Sequence, residues 1–290
     1  MKGEASQVMI ALTVDVEEGF HGLWPSARRT MIRYMHELPE GTFIRPLRSI
    51  LKLFEDEHVR STFFVLGNIA EAFPDVVKEI YDYGHEVASH GYFHVDLTQI
   101  SLAEIEEMER KNCCRLAKIT GEAPKGFRAP FFRINPSIIS LLSRIGYVYD
   151  SSAVPSVGIP GWWSHYGGSL SPHSVSVGKG EFFEVPISVF PYLRLPIGGW
   201  FLRNFGVTYA KTAIKWFLRR GMPAIICVHP FDVDPDVQKL GGIRFHITRR
   251  CGDYALKAME HLLKNFDCKK LAIRDVLREF MVRRTFVRGL

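Results

Sequence analysis

Along the chain, short β-branched or aromatic runs alternate with longer stretches whose apolar residues fall three and four apart. VMIALTVDV (residues 8–16) predicts a buried strand, because it is nearly continuously apolar and turns polar only at its C-terminal end. FIRPLRSILKLFEDEH has helical spacing, VRSTFFVLG reads as a second strand, and PDVVKEIYDYG as a helix with Pro at its start and Gly after its end. HEVASHG predicts a third strand. SLAEIEEMERKNCCRLAKITG opens on Ser101 and Glu104, a capping box, and runs amphipathic to Gly121. KGFRAP, the capped helix NPSIISLLSRIG and the strand YVYDSS follow. Residues 153–205 are rich in Gly, Pro, Ser and aromatics and predict long loops with one strand, EFFEVP. Helix TYAKTAIKWFLRRG, strand PAIICVH, helix GDYALKAMEHLLKNF and strand CKKLAI complete the pattern.

Strand and helix alternating throughout imply parallel strands with crossover helices, an α/β protein. The choice lies between a closed barrel and an open doubly wound sheet, and the absence of a Gly-rich phosphate loop after the first strand argues against a dinucleotide fold. In a parallel barrel, chemistry gathers at the C-terminal ends of strands. There the first strand carries Asp15, Glu17 and Glu18, the third His90 and His94, the fourth Arg128, the fifth Asp150 and the late strand His229. Each has a bland reading on its own: a capping Asp, a surface Arg, a core His. Two histidines four apart are a weak signal too, but chance is a poor account of all these residues on one rim. One carboxylate plus two His suits zinc or a similar divalent ion with positions left open. A second carboxylate as base and a separate His as acid complete the layout of a metal hydrolase, in which the ion polarises a carbonyl and lowers the pKa of its water.

Composition narrows this only slightly. At 290 residues, 47% hydrophobic and 23% charged, the chain is long enough for one large domain with a substantial core. The excess of 37 Lys and Arg over 31 Asp and Glu, +6, sits partly in KWFLRR and in the tail MVRRTFVRGL. It suits an anionic polymer, a lipid phosphate or peripheral contact with an anionic membrane, or is simply a solvated face. No nucleic-acid-binding motif is present. Five cysteines, two adjacent and none in C-x-x-C spacing, argue against a disulfide framework. With no long apolar stretch ahead of the first strand, the expected location is cytoplasmic, with the inner membrane face as a contact.

TVDVE, HGYFH, RAPF and CVH, in that order over residues 8–229, resemble the motifs of the polysaccharide deacetylases of carbohydrate esterase family four, the NodB-homology domain. STFFVLG, GHEVASHG and GYVYDSS are similar to the text around those motifs, and Cys227 stands where Leu is usual. The resemblance implies a distorted (β/α) barrel of about seven parallel strands in a single domain over 1–290. Its catalytic core spans 8–229, a loop-rich substrate-groove segment 153–205, and a C-terminal strand and helix closure 230–290. It implies Asp15 as general base, His90 and His94 as metal ligands and Arg128 as the residue holding the base. The backbone N–H of Phe131 becomes an oxyanion donor, His229 the general acid, and Asp150 a partner for His229. Most members read Asp-Asp; here Val16 fills the second place, and Asp-x-acid relatives put Glu17 on the metal, as period-two alternation with Asp15 also does. That form resembles a subgroup tied to exopolysaccharide gene clusters.

The activity implied is removal of N-acetyl groups from amino sugars of a polysaccharide or lipid-linked glycan, with zinc, or cobalt or nickel, as cofactor. An allantoinase-like amidohydrolase of a small cyclic amide is the enzymatic alternative, and a catalytically inactive carbohydrate-binding homologue the alternative outside catalysis. The retained Asp15, His90 and His94 disfavour the first, and with Arg128 and His229 the second. For sugar contacts the sequence offers Trp162, Trp163 and Trp200, with Arg203 for an anionic group; packing is the competing role of each aromatic. The Gly-Gly of IGGWFLR indicates close backbone approach or a mobile lid.

Overall fold

The computed structural model describes residues 9–18, 40–157, 168–177, 181–237 and 249–288, with side chains through 282. Its strands are β1 (Met9–Val16), β2 (Thr62–Val65), β3 (Glu86–Ser89), β4 (Gly126–Phe127), β5 (Tyr149–Asp150), β6 (His173–Ser176), β7 (Glu181–Glu184), β8 (Ala224–Val228) and β9 (Lys269–Lys270). The helices are α1 (Ile44–Asp56), α2 (Gly67–Ala72), α3 (Pro74–Asp82), α4 (Leu102–Thr120), α5 (Pro136–Ile145), α6 (Gly199–Leu218), α7 (Asp253–Lys264) and α8 (Ile273–Arg288). Local signals act where the sequence places them. Ser101 and Glu104 cap α4 reciprocally and Gly121 ends it at φ 84°, while Asn135 caps α5 by accepting from the Ile138 N–H.

The strands form one sheet in the order β6-β7-β5-β4-β3-β2-β1-β8, with β9 also on β1. Every pairing is parallel except β6 with β7. The sheet is therefore mixed, where an all-parallel one was expected; β6, in a stretch read as loop, has an intermediate and exposed alternation that carries no hydrophobic signal. The far ends of the order are bridged. Ser188, just beyond β7, donates its N–H to the Ile225 carbonyl at 2.9 Å, and Ile225 N–H donates to Ser188 Oγ at 2.9 Å.

Alternation on β1 divides the core. Ile10, Leu12, Val14 and Val16 pack with Leu47, Ile50 and Phe54 of α1 and Met259 of α7, between sheet and helices. Met9 and Ala11 join Phe64, Ala88, Tyr149, Ile225 and Cys227 on the other face. That second face continues along β1 as Thr13, Asp15 and Glu17, so it passes from apolar to polar towards the strand's C-terminal end.

Under the turn after β3 lies a buried carboxyl, Glu109 of α4. Its Oε2 accepts from Ser89 Oγ and Tyr147 Oη, both at 2.8 Å. Burial pushes it up to about 7, against the two hydrogen bonds. A carboxyl raised in the folded state binds more protons there than in the unfolded chain, so stability falls as pH rises from the ordinary Glu range through about 7 and is level above. Denaturant titrations of wild type and Glu109→Gln between pH 4.5 and 8 should differ in slope, the wild type losing on the order of 3 kcal/mol that the variant keeps. A difference constant over that range would reject the reading.

Candidate metal centre

At the polar end of β1, Asp15 and Glu17 meet residues from three other strand ends. The donor atoms of Glu17, His90 and His94 all lie within 4.8 Å of one another, and all three side chains are buried. His94 Nε2 is 2.7 Å from Glu17 Oε2. His90 Nδ1 hydrogen-bonds the Arg128 carbonyl at 2.8 Å, which turns Nε2 towards Asp15 Oδ2, 4.0 Å away. Burial pushes the His90 imidazole down to about 4, so the ring is neutral, the form that ligates. A carboxylate and two imidazoles converging from one side fit a divalent ion, with Arg128's carbonyl orienting one of them from behind.

Glu18 points the other way. Its carboxylate accepts from Gly41 N–H (2.6 Å), Thr42 N–H (3.1 Å) and the Thr42 hydroxyl, so it closes the turn ahead of α1. Consecutive residues on an extended chain face opposite sides, which separates Glu17 from Glu18.

Asp15 is gripped from behind by Arg128. The guanidinium donates to Asp15 Oδ1 (2.6 Å), Thr13 Oγ1 (2.8 Å), the Ser151 carbonyl (3.0 Å) and Ser151 Oγ (3.0 Å), and lies 4.0 Å over the Phe64 ring. Burial pushes the Asp15 carboxyl up, but the surrounding positive charge, Arg128 foremost and then His229, outweighs it and holds the group below its usual range. Cys227 Sγ lies 3.3 Å from Asp15 Oδ2.

Across from the His pair, His229 ends β8. Its Nε2 is 3.8 Å from Asp15 Oδ2 and 3.6 Å from Glu17 Oε1. Burial pushes the ring down, yet the Asp232 hydrogen bond and the charges of Glu17, Asp232 and Asp15 raise it to about 9. Asp232, not Asp150, is the partner of His229: its Oδ2 accepts the His229 N–H at 2.9 Å and lies 3.4 Å from Nδ1. Asp150 follows Tyr149, which faces the inner core, so its own side chain falls on the opposite face. There it accepts from Ser152 Oγ (2.7 Å) and Ser152 N–H (3.1 Å), and Ser152 Oγ in turn accepts the Ala129 N–H (2.7 Å). Asp150 thus braces the RAPF turn from outside. Burial pushes the Asp150 carboxyl up, and burial together with the charge of Asp150 pushes the Glu184 carboxyl up further.

Arg203 is also placed differently from the sequence expectation. Rather than lining a substrate groove, it is 0% exposed, with Nε donating to Asp232 Oδ1 at 2.9 Å and Nη1 to the Arg249 carbonyl. It stands one turn into α6, whose first residues are pressed against the β8 end. A Cβ on Gly198 would lie 2.8 Å from the Cys227 carbonyl, and one on Gly199 1.8 Å from Asp232 Oδ2. The Gly-Gly pair thus serves close backbone approach rather than a lid. Sequence reasoning missed Asp232, although HPFDVDP put an acid three residues after His229. It also missed the first turns of α6, because the kink at Gly206 (φ 82°) interrupts the helical period.

Phe131 has φ 56°, in the left-handed region, and its ring stands edge-on to His94 with centroids 4.3 Å apart. Trp200 packs edge-on against Phe201 and Phe205. Trp162 and Trp163 lie outside the described residues. Among the described residues, no helix is long and apolar enough to cross a membrane.

Known proteins match this chain in pieces. The polysaccharide deacetylase family profile matches residues 46–149, and the domain of unknown function DUF3473 matches 151–273. A peptidoglycan deacetylase-like protein, FGM2, of Gibberella zeae is 34% identical over 149 residues, 50% of this chain and 43% of that one. A peptidoglycan deacetylase of Helicobacter pylori is 35% identical over 103 residues, 36% of this chain and 35% of that one. The matched segment is thus less than half the length of either relative. Among solved structures, the PuuE allantoinase superposes with TM-score 0.67 at 19% identity, covering 97% of this chain and 92% of that one. A CE4-family pseudoenzyme from Bacillus anthracis superposes with TM-score 0.55 at 15% identity, covering 94% and 66%. The chain thus matches the polysaccharide deacetylase profile over residues 46–149 and shares its overall fold with these solved structures.

Proposed function

We propose that this protein is a metal-dependent hydrolase that removes N-acetyl groups from amino sugars of a polysaccharide or lipid-linked glycan. Likeness of fold does not choose the reaction, since an allantoinase and a pseudoenzyme share it. The observation that carries the reading is the convergence of Glu17, His90 and His94 on one side of Asp15 with His229 on the other. A divalent ion held by that triad, zinc or else cobalt or nickel, would polarise the amide carbonyl and acidify water. Asp15, kept ionised by Arg128, accepts the proton of the attacking water. His229, kept protonated by Asp232, donates to the departing amine nitrogen, and the backbone N–H of Phe131 stabilises the developing oxyanion. Arg203 and Gly199 act through Asp232: one fixes its charge, the other leaves it room. Trp162, Trp163 and Trp200 remain the candidates for stacking on sugar rings.

His90→Ala and Glu17→Gln should lose stoichiometric zinc in elemental analysis while keeping native circular dichroism. Glu18→Gln should retain the metal and instead lose about 1 kcal/mol of stability through its turn contacts at α1. Equal zinc content in all three would defeat the ligand assignment. Asp15→Asn and His229→Ala should each lower kcat for acetate release from N-acetylglucosamine oligomers by about 10²–10⁴-fold. Wild-type rates in either, or turnover of allantoin in place of the oligomers, would sink the mechanism. Gly199→Ala displaces Asp232 without removing a charge, and should cost about 10²-fold in kcat at unchanged zinc content and little changed KM. A normal kcat in that variant would remove Asp232 from the mechanism.

A further inference from the structure

We propose that Asp15, Cys227 and His229 form a second, softer metal site beside the first, one that takes a thiophilic divalent ion. The three residues offer one carboxylate oxygen, one sulfur and one imidazole nitrogen within 4.8 Å of one another. Sγ of Cys227 is 3.3 Å and Nε2 of His229 3.8 Å from the same oxygen, Asp15 Oδ2. Tetrahedral zinc with bonds of about 2.0–2.3 Å places neighbouring donor atoms roughly 3.3–3.8 Å apart, so these separations already suit a shared ion.

Each donor is held where it stands. Arg128 occupies Asp15 Oδ1 and leaves Oδ2 to the thiol and the imidazole. The Cys227 backbone is pinned between β1 and Gly198, which pairs with it as an isolated bridge. His229 is 22% exposed in its side chain, so an ion can reach the group from solvent. On binding, the thiol proton and the Nε2 proton of the His229 imidazolium leave to solvent while sulfur–metal and nitrogen–metal bonds form; no oxidant or reductant is needed. The first triad contains no sulfur, so the two sites differ in softness, and a thiophilic ion is the one that distinguishes them. Filling the second site would engage Asp15 and His229 at once and so inhibit the enzyme. That consequence rests on their reading as base and acid; the site itself does not.

The test is a cadmium titration of the metal-free protein, followed by the ultraviolet thiolate-to-cadmium charge-transfer band. The other four cysteines, Cys113, Cys114, Cys251 and Cys268, are changed to Ser so that Cys227 is the sole thiol. Two equivalents should bind, with the band accompanying one of them. Adding His90→Ala and His94→Ala should leave one equivalent and the full band, so failure of the first site, or of the deacetylase reading, leaves this result legible. Cys227→Ala should bind one equivalent with no band. If the four-Ser protein does not fold, the same comparison is made between wild type and Cys227→Ala, whose difference spectrum should be one thiolate–cadmium band. No band from the Cys227-only protein, or no difference between wild type and Cys227→Ala, overturns the proposal.

Discussion

The site is organised around a guanidinium buried in the centre of the protein. Removing an ion from water costs several kcal/mol even after relaxation, so Arg128 is tolerable only because Thr13, Asp15, Ser151 and the face of Phe64 surround it. A buried pair of this kind is weak evidence for stability; its consequence is positional. Arg128 ties β4 to β1 and to the chain after β5, and its own carbonyl orients His90. One residue therefore sets the charge of Asp15 and the ring orientation of His90. The turn that follows it, with Phe131 strained at positive φ beside His94, is held by Ser152 and the Asp150–Glu184 pair behind it.

The opposite half of the site is built by a different logic. His229 is oriented by an acid three residues on, and that acid is held by Arg203 from α6 rather than by the neighbouring strand. This arrangement needs the helix start almost in contact with the β8 end, which two glycines permit and no side chain would. The two family profiles divide here: the deacetylase match ends at 149, and the DUF3473 match covers Arg203, His229 and Asp232. The deacetylase match thus holds Arg128 and the His pair, whereas His229 and the residues that orient it lie in the DUF3473 match.

How much the sequence by itself determined follows from which interactions are local. Period-two alternation on β1 placed Asp15 and Glu17 together and Glu18 apart, because a pleated strand admits no other assignment. Capping residues bounded α4 and α5, since an N-cap acts within three residues. Strand ends rich in ionisable groups indicated the rim, and the grouping of Glu17 with His90 and His94 was legible from spacing, order and family resemblance together. Only the tertiary structure decided the partners. Asp150 and Asp232 are both acids near strand ends, and which one meets His229 depends on which face of the sheet each side chain leaves. Arg203 looks in sequence like a surface cation; its burial follows from how closely α6 approaches β8. The approach of Cys227 to Asp15 joins residues more than two hundred positions apart. A sequence records local geometry directly because the backbone's periods are short, but it records long-range contacts only through packing, and packing exists once the sheet has formed.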